Sequence, residues 1–146
     1  MSDRLRAQIA GFEGRCNFAY PDPLTGCEPW TIGVGHTGPD VHEHLFWSDE
    51  KIDATLDQDI GRATVNLLAY APWASELAPA RYAVLVNMTF QMGIHNVMNF
   101  THTLHAVQTS DWQGAHDGML DSQWARQTPT RAAILAKQML TGEWQS

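Results

Sequence analysis

Cys16-Asn17-Phe18-Ala19-Tyr20-Pro21-Asp22-Pro23-Leu24-Thr25-Gly26, followed by Trp30-Thr31-Ile32-Gly33-Val34-Gly35-His36, decides how the chain is built. Cys16, Phe18 and Tyr20 alternate with smaller or polar neighbours, Pro21 to Gly26 reads as a turn, and Trp30, Ile32 and Val34 alternate again. That period predicts a small antiparallel sheet of half-buried strands. Immediately before it, Leu5, Ile9 and Phe12 recur at spacings of four and three, a helical period that Ser2 or Asp3 can cap. Gly14 is placed to end this helix, which puts Glu13 at its C-terminus.

Beyond the sheet the pattern is helical. Thr37 to Phe46 reads as a loop broken at Gly38-Pro39-Asp40. Ser48, Asp49 and Glu50 then open a long helix with favourable N-terminal charge, striped by Ile52, Leu56, Ile60, Ala63 and Leu67 and stopped by Pro72. Pro79 to Met92 predicts a helix closed by Gly93, and Asn96 to Val107 one or two short ones. Ser110 reads as the cap of a helix carrying Trp112, Ala115 and Met119. Thr128-Pro129 reads as an N-cap followed by proline at the first helical position of a last helix ending at Gly142. The expected architecture is α+β, a single domain over 1–146. A sheet lobe (about 13–47) and a helical lobe (about 72–146, with the N-terminal helix 2–12) are joined by a connecting helix (about 48–71), with a cleft between the lobes.

Composition narrows the function classes. With 146 residues, 44% hydrophobic and 17% charged, the chain can bury a core of its own. A formal charge of -7 argues against a nucleic-acid partner, whose binding rests on Lys and Arg neutralising phosphates. It also removes easy attraction to any acidic surface. The N-terminus alternates charged and apolar residues and has no long apolar run, so neither a signal peptide nor a membrane anchor is expected, and the protein is expected in a cytoplasm. Cys16 and Cys27 are the only cysteines. Reduced thiols fit that compartment, while their symmetry about Pro21-Asp22 leaves open a bridge formed after release.

The chemistry concentrates where helix meets sheet. Glu13 and, after eight residues, Asp22 set two carboxyl groups beside a threonine, Thr31, and a glycine-relieved turn. Glycoside hydrolysis needs one acid to protonate the leaving oxygen and one carboxylate to activate water or to attack. Further along stand Asn87-Met88-Thr89-Phe90-Gln91-Met92-Gly93 and Trp124-Ala125-Arg126-Gln127-Thr128-Pro129-Thr130-Arg131-Ala132. These three blocks, in this order over most of the chain, resemble the phage-type lysozymes, the bacteriophage T4 lysozyme family of endolysins.

That resemblance implies hydrolysis of the β-1,4 bond between N-acetylmuramic acid and N-acetylglucosamine in peptidoglycan, with inversion and without a cofactor. It implies Glu13 as general acid, Asp22 as the second carboxylate and Thr31 as the residue that positions water. Thr37, Phe90, Gln91 and Thr103 would line the cleft, and His36 would pair with Asp59 to tie the sheet to the connecting helix. Arg131 would reach back toward Glu13. Two departures stand out. Eight residues separate Asp22 from Thr31, a longer gap than the family's usual one, and Gly118 falls where the family can offer a polar side chain. The resemblance further implies a monomer that needs no membrane insertion of its own and depends on a separate pore protein to reach the wall from the host cytoplasm. A rival reading is a zinc peptidase built on His36, Asp40, His42 and His44, although no His-Glu-x-x-His occurs. A non-catalytic wall-binding or tail module is the other.

Overall fold

Eight helices and three short strands make up the described residues, 2–146, of the computed structural model. They fall into two compact units, the first running to Arg62 and the second Ala63–Ser146. The first opens with α1 (Asp3–Glu13), whose start is fixed by the Ser2 hydroxyl accepting the Leu5 N–H at 3.4 Å. Leu5 and Ile9 bury its inner face, and Gly14, at φ 75°, ends it with Glu13 as the last helical residue.

The sheet follows in the order β1 (Cys16–Tyr20), β2 (Thr31–Gly33), β3 (His36–Thr37), all antiparallel. Cys16 faces Gly33 and Tyr20 faces Thr31, so β1 carries two more residues than β2 over the same span and bulges between those pairs. β3 lies partly where a loop was expected. Gly33 and Gly35, both at positive φ (65° and 67°), reverse the chain so tightly that His36 and Thr37 pair back onto Ile32 and Thr31. On the other edge of β1, Ala19 and Trp47 N–H groups bond the Leu45 and Asn17 carbonyls, and Phe18 lies opposite Phe46. The register sets Cys16 beside Gly33 at the base of the hairpin and leaves Cys27 in its tip. Both thiols are free and exposed.

α2 (Asp49–Tyr70) begins in the first unit and ends in the second. Ser48 Oγ accepts the Lys51 N–H at 3.2 Å, and Asp49 and Glu50 occupy the first turn as read from the sequence. The predicted stripe Ile52, Leu56, Ile60, Ala63 and Leu67 is buried throughout. Pro72 stops the helix by starting a short 3-10 segment, Pro72–Glu76.

The second unit centres on α3 (Pro79–Met92), which is buried on all sides from Ala83 to Thr89. It packs against α4 (Ile94–Met98) and α8 (Pro129–Thr141). α6 (Trp112–Leu120) lies between α5 (Thr101–Gln108) and α8, and α7 (Gln123–Gln127) leads into α8. Two expected caps differ in their bonding. Ser110 adopts a left-handed backbone (φ 61°), and Asp111 instead caps α6 through its bond from Gly114 N at 3.0 Å. Thr128 does precede Pro129 at the start of α8, but its hydroxyl donates to the Trp124 carbonyl at 2.9 Å and closes α7. The far end of α8 is held by Arg81, which donates to the Met139 and Leu140 carbonyls and stacks over Trp112 at 3.7 Å.

Candidate active site

Glu13 is half-buried where α1 gives way to the sheet. Its carboxyl lies against the backbone of Gly35. A Cβ built there would fall 2.6 Å from Glu13 Oε2 and 3.0 Å from Cδ, and φ of +67° is itself a conformation that L side chains rarely adopt. Position 35 is therefore glycine for two independent reasons, and the carboxyl occupies the space a side chain would take.

Across the strands, Tyr20 pairs with Thr31 and Thr31 with Thr37. Residues directly opposite in an antiparallel ladder share a face, so these three form one row. Ile32 and His36, the next pair, point to the other face, where Ile32 is fully buried. Tyr20 and Thr31 are thus direct partners across the strands. Burial pushes the Tyr20 phenol above its ordinary range and the nearby Cys16 and Glu13 groups push the same way, while the Thr31 side chain pulls partly back. Glu13, Tyr20 and Thr31 thus share one neighbourhood. Tyr20 escaped the sequence reading because it looked like one more apolar position of an alternating strand, and only the register shows what it faces.

Asp22 stands just past the last β1–β2 pair and organises the hairpin tip. Its Oδ1 accepts the Leu24 N–H at 3.0 Å, its own N–H donates to the Cys27 carbonyl at 3.0 Å, and its carbonyl accepts from Gly26 at 2.8 Å. The residues that lengthen the gap to Thr31 are folded onto Asp22 as a closed turn. One carboxylate oxygen is engaged in that turn.

His36 Nδ1 is 2.7 Å from Asp59 Oδ2, joining β3 to α2, and its Nε2 lies 3.3 Å from Asp40 Oδ2. The ring also tilts against Trp47. His42 bonds the Glu43 carbonyl and His44 approaches the Glu43 carboxylate, so the histidines of this loop do not converge. Among the described residues no three His, Cys, Asp or Glu side chains are arranged to hold a metal ion.

The second unit contains a cavity of about 730 Å³. Gln91 and Thr103 line it, as do Gly118 and Trp124. Phe90, the preceding residue of α3, is half-buried and is not part of the lining. Trp124 Nε1 donates to Gln91 Oε1 at 2.8 Å, fixing which end of the amide faces the cavity, and Phe100 meets Trp124 edge-on. Gly118 leaves room for its neighbour, since a Cβ there would collide with the buried Thr103 hydroxyl. Arg131, 8% exposed, donates from Nη2 (2.6 Å) and Nε (3.2 Å) to Oδ1 of the fully buried Asn87. Asn87 and Trp124 belong to the two sequence blocks noted above, but their roles as anchors for Arg131 and Gln91 emerge only from packing.

The phage lysozyme family model matches residues 10–138, and the chain belongs to that family. It is 26% identical over 138 residues to "Probable T4-type lysozyme 1" of Dictyostelium discoideum, covering 77% of this chain and 81% of that protein. It is 28% identical over 144 residues to "Peptidoglycan hydrolase gp36" of Pseudomonas phage phiKMV, covering 92% of this chain but 15% of that much longer one. Over 67 residues it is 39% identical to the "Pre-baseplate central spike protein Gp5" of Enterobacteria phage T4, covering 46% of this chain and 12% of the spike protein.

Proposed function

We propose that this chain is a peptidoglycan hydrolase of the lysozyme type, cutting the β-1,4 bond between N-acetylmuramic acid and N-acetylglucosamine. Family membership and relatives named lysozyme and peptidoglycan hydrolase support the substrate class. The single observation that carries the assignment of the acid is the Glu13 carboxyl seated on the Gly35 backbone. That seat brings the carboxyl against the backbone of the turn between β2 and β3, with Tyr20 near by.

In the proposed reaction Glu13 protonates the glycosidic oxygen. Asp22 takes a proton from water, Thr31 orients that water, and attack on the opposite face of the sugar inverts the anomeric carbon. Inversion requires the two carboxyls roughly 6.5–9.5 Å apart, enough for a water between them. Thr37, Phe90, Gln91 and Thr103 would hold sugar hydroxyls and ring faces. Arg131 and the His36–Asp59 pair would act as supports rather than reactants. The whole chain would work as one lysozyme domain and as a monomer. It would reach the wall from the host cytoplasm through a separate pore protein; among the described residues no helix is long and apolar enough to cross a membrane. A second reading, the same catalytic module acting within a larger phage protein, is favoured by the small share of the two phage relatives that the match covers.

Glu13→Gln tests the reading. The substitution keeps shape and hydrogen bonding but removes the transferable proton, a role typically worth about 10²–10⁴-fold. Lysis of permeabilised Gram-negative cells, followed by turbidity, should fall by at least about 10²-fold with the melting curve intact. A folded variant retaining most of its activity would end the assignment.

A further inference from the structure

Several polar groups in the wall of the second unit's cavity have no partner within the protein. We propose that this cavity takes the peptide stem carried by the glycan, and that Asp121 selects stems whose diamino acid keeps a free ammonium group. The inference rests on the lysozyme reading above and deepens it, assigning a substrate preference to a residue outside the proposed site.

Three observations carry it. Thr103 is only 3% exposed and lines the cavity, yet its hydroxyl makes no hydrogen bond among the described residues. Gly118, also in the lining, leaves that hydroxyl uncovered, since a Cβ there would displace it. A polar group so buried is normally paired, which points to a partner brought by a ligand. Asn99, Gln123 and Gln127 line the same space, and their amides too lack side-chain partners among the described residues. An amide offers two donors and an acceptor, the complement of a peptide backbone. Finally, among the described residues the lining holds one carboxylate, Asp121, and neither lysine nor arginine; His102 is its one basic side chain. Asp121 makes no ion pair and no side-chain hydrogen bond among the described residues.

Charge decides between the two parts of peptidoglycan. The amino nitrogens of its sugars are acetylated and neutral, and its carboxylates repel another carboxylate. A cation is found on the stem, where the diamino acid ends in an ammonium until cross-linking turns that nitrogen into a neutral amide. An unpaired carboxylate in an amide-lined cavity therefore suits the un-cross-linked stem, through a charge-assisted hydrogen bond to the ammonium. A volume of about 730 Å³ lies within the range of about 300–1,000 Å³ usual for small-ligand sites, room for a few residues of peptide. Gln91 and Thr103, which would meet the sugar, belong to the same lining, so sugar and stem would share one cavity.

The test uses soluble, un-cross-linked glycan strands bearing their stems in two forms, with the diamino acid's amine free or acetylated. At low salt and near neutral pH, wild type should show kcat/KM about three- to fivefold higher on the free-amine form, the scale of one exposed ion pair. In Asp121→Asn that ratio should fall to about one. Equal kcat/KM on both forms with wild type, or a ratio unchanged in Asp121→Asn, would overturn the proposal. Binding is read apart from catalysis through the NMR signal of the Trp124 indole N–H, which lines the cavity and bonds Gln91 at 2.8 Å. An N-terminally acetylated stem tripeptide with a free side-chain amine should shift this signal in wild type, and blocking that amine should weaken binding by about the same three- to fivefold. No shift, or equal affinity for the two peptides, would sink the assignment without recourse to any variant. The two readings fail differently. A protein that cuts neither glycan while Trp124 responds to the peptide refutes the hydrolysis and supports the binding site, whereas one that cuts both forms equally well refutes only the role of Asp121.

Discussion

A methyl group at position 35 would press on the carboxyl proposed above as the acid. Gly35→Ala must find room for a Cβ 2.6 Å from Glu13 Oε2, and it must also hold an L side chain at φ +67°. Backbone strain of this kind costs of the order of 1–3 kcal/mol. The expected outcome is a fall in melting temperature together with a loss of lysis larger than the stability loss explains, because relief comes from moving Glu13. Calorimetry and turbidity on the same preparation check it; a Gly35→Ala protein with native activity would show that the carboxyl has freedom to move. Residues of this kind were only partly legible. The place of Glu13 at the end of α1 could be read because helix, glycine stop and sheet follow one another in the chain. Tyr20 could not, since a phenylalanine would satisfy the same alternation and its partner lies eleven positions on, across a bulge.

Between elements, the N-terminus of α2 is tied to β1 by Asp49. Asn17 Nδ2 donates to its carboxylate at 3.1 Å and Arg15 Nη2 at 3.5 Å, while Arg15 Nη1 reaches Asp53 at 2.7 Å. The Asn17 bond first, and then Arg15, hold the Asp49 carboxyl below the ordinary aspartate range. A depressed carboxyl contributes stability that is present above its unfolded pKa and disappears as pH falls through the folded one. Wild type should therefore melt above Asp49→Asn near pH 7, and the gap should close on acidification through and below the ordinary aspartate range. An unchanged gap at the acid end would assign the effect to packing instead of charge. Helix starts such as Ser48-Asp49-Glu50 were readable because a cap and its charges are neighbours in sequence. The two-residue strand β3 was not, because it exists only through its pairing with β2. Ser110 and Asp111 compete for one cap, and the left-handed turn at Ser110 gives it to Asp111.

For the whole molecule the dominant fact is its formal charge of -7. A wall rich in carboxylates repels it over a distance set by salt, about 30 Å at 0.01 M and about 8 Å at 0.15 M. The initial rate of lysis should therefore rise several-fold between those ionic strengths. A rate falling steadily with added salt would mean that a local basic surface outweighs the net charge. The α+β class and the order of the long elements were plain from periodicity and punctuation, whereas the cavity beside Gln91 and Thr103 depends on α3, α5, α6 and α7 meeting, which no single segment encodes. The hairpin tip has a consequence of a different kind. Its bonds close almost entirely among Asp22, Leu24, Thr25, Gly26, Cys27 and Glu28, so its length can drift between lineages while the strands below it stay as they are. Asp22 alone answers to both constituencies. Under the proposed reaction it is inherited as a single unit of selection, where variation that suits the loop is judged by what it does to hydrolysis.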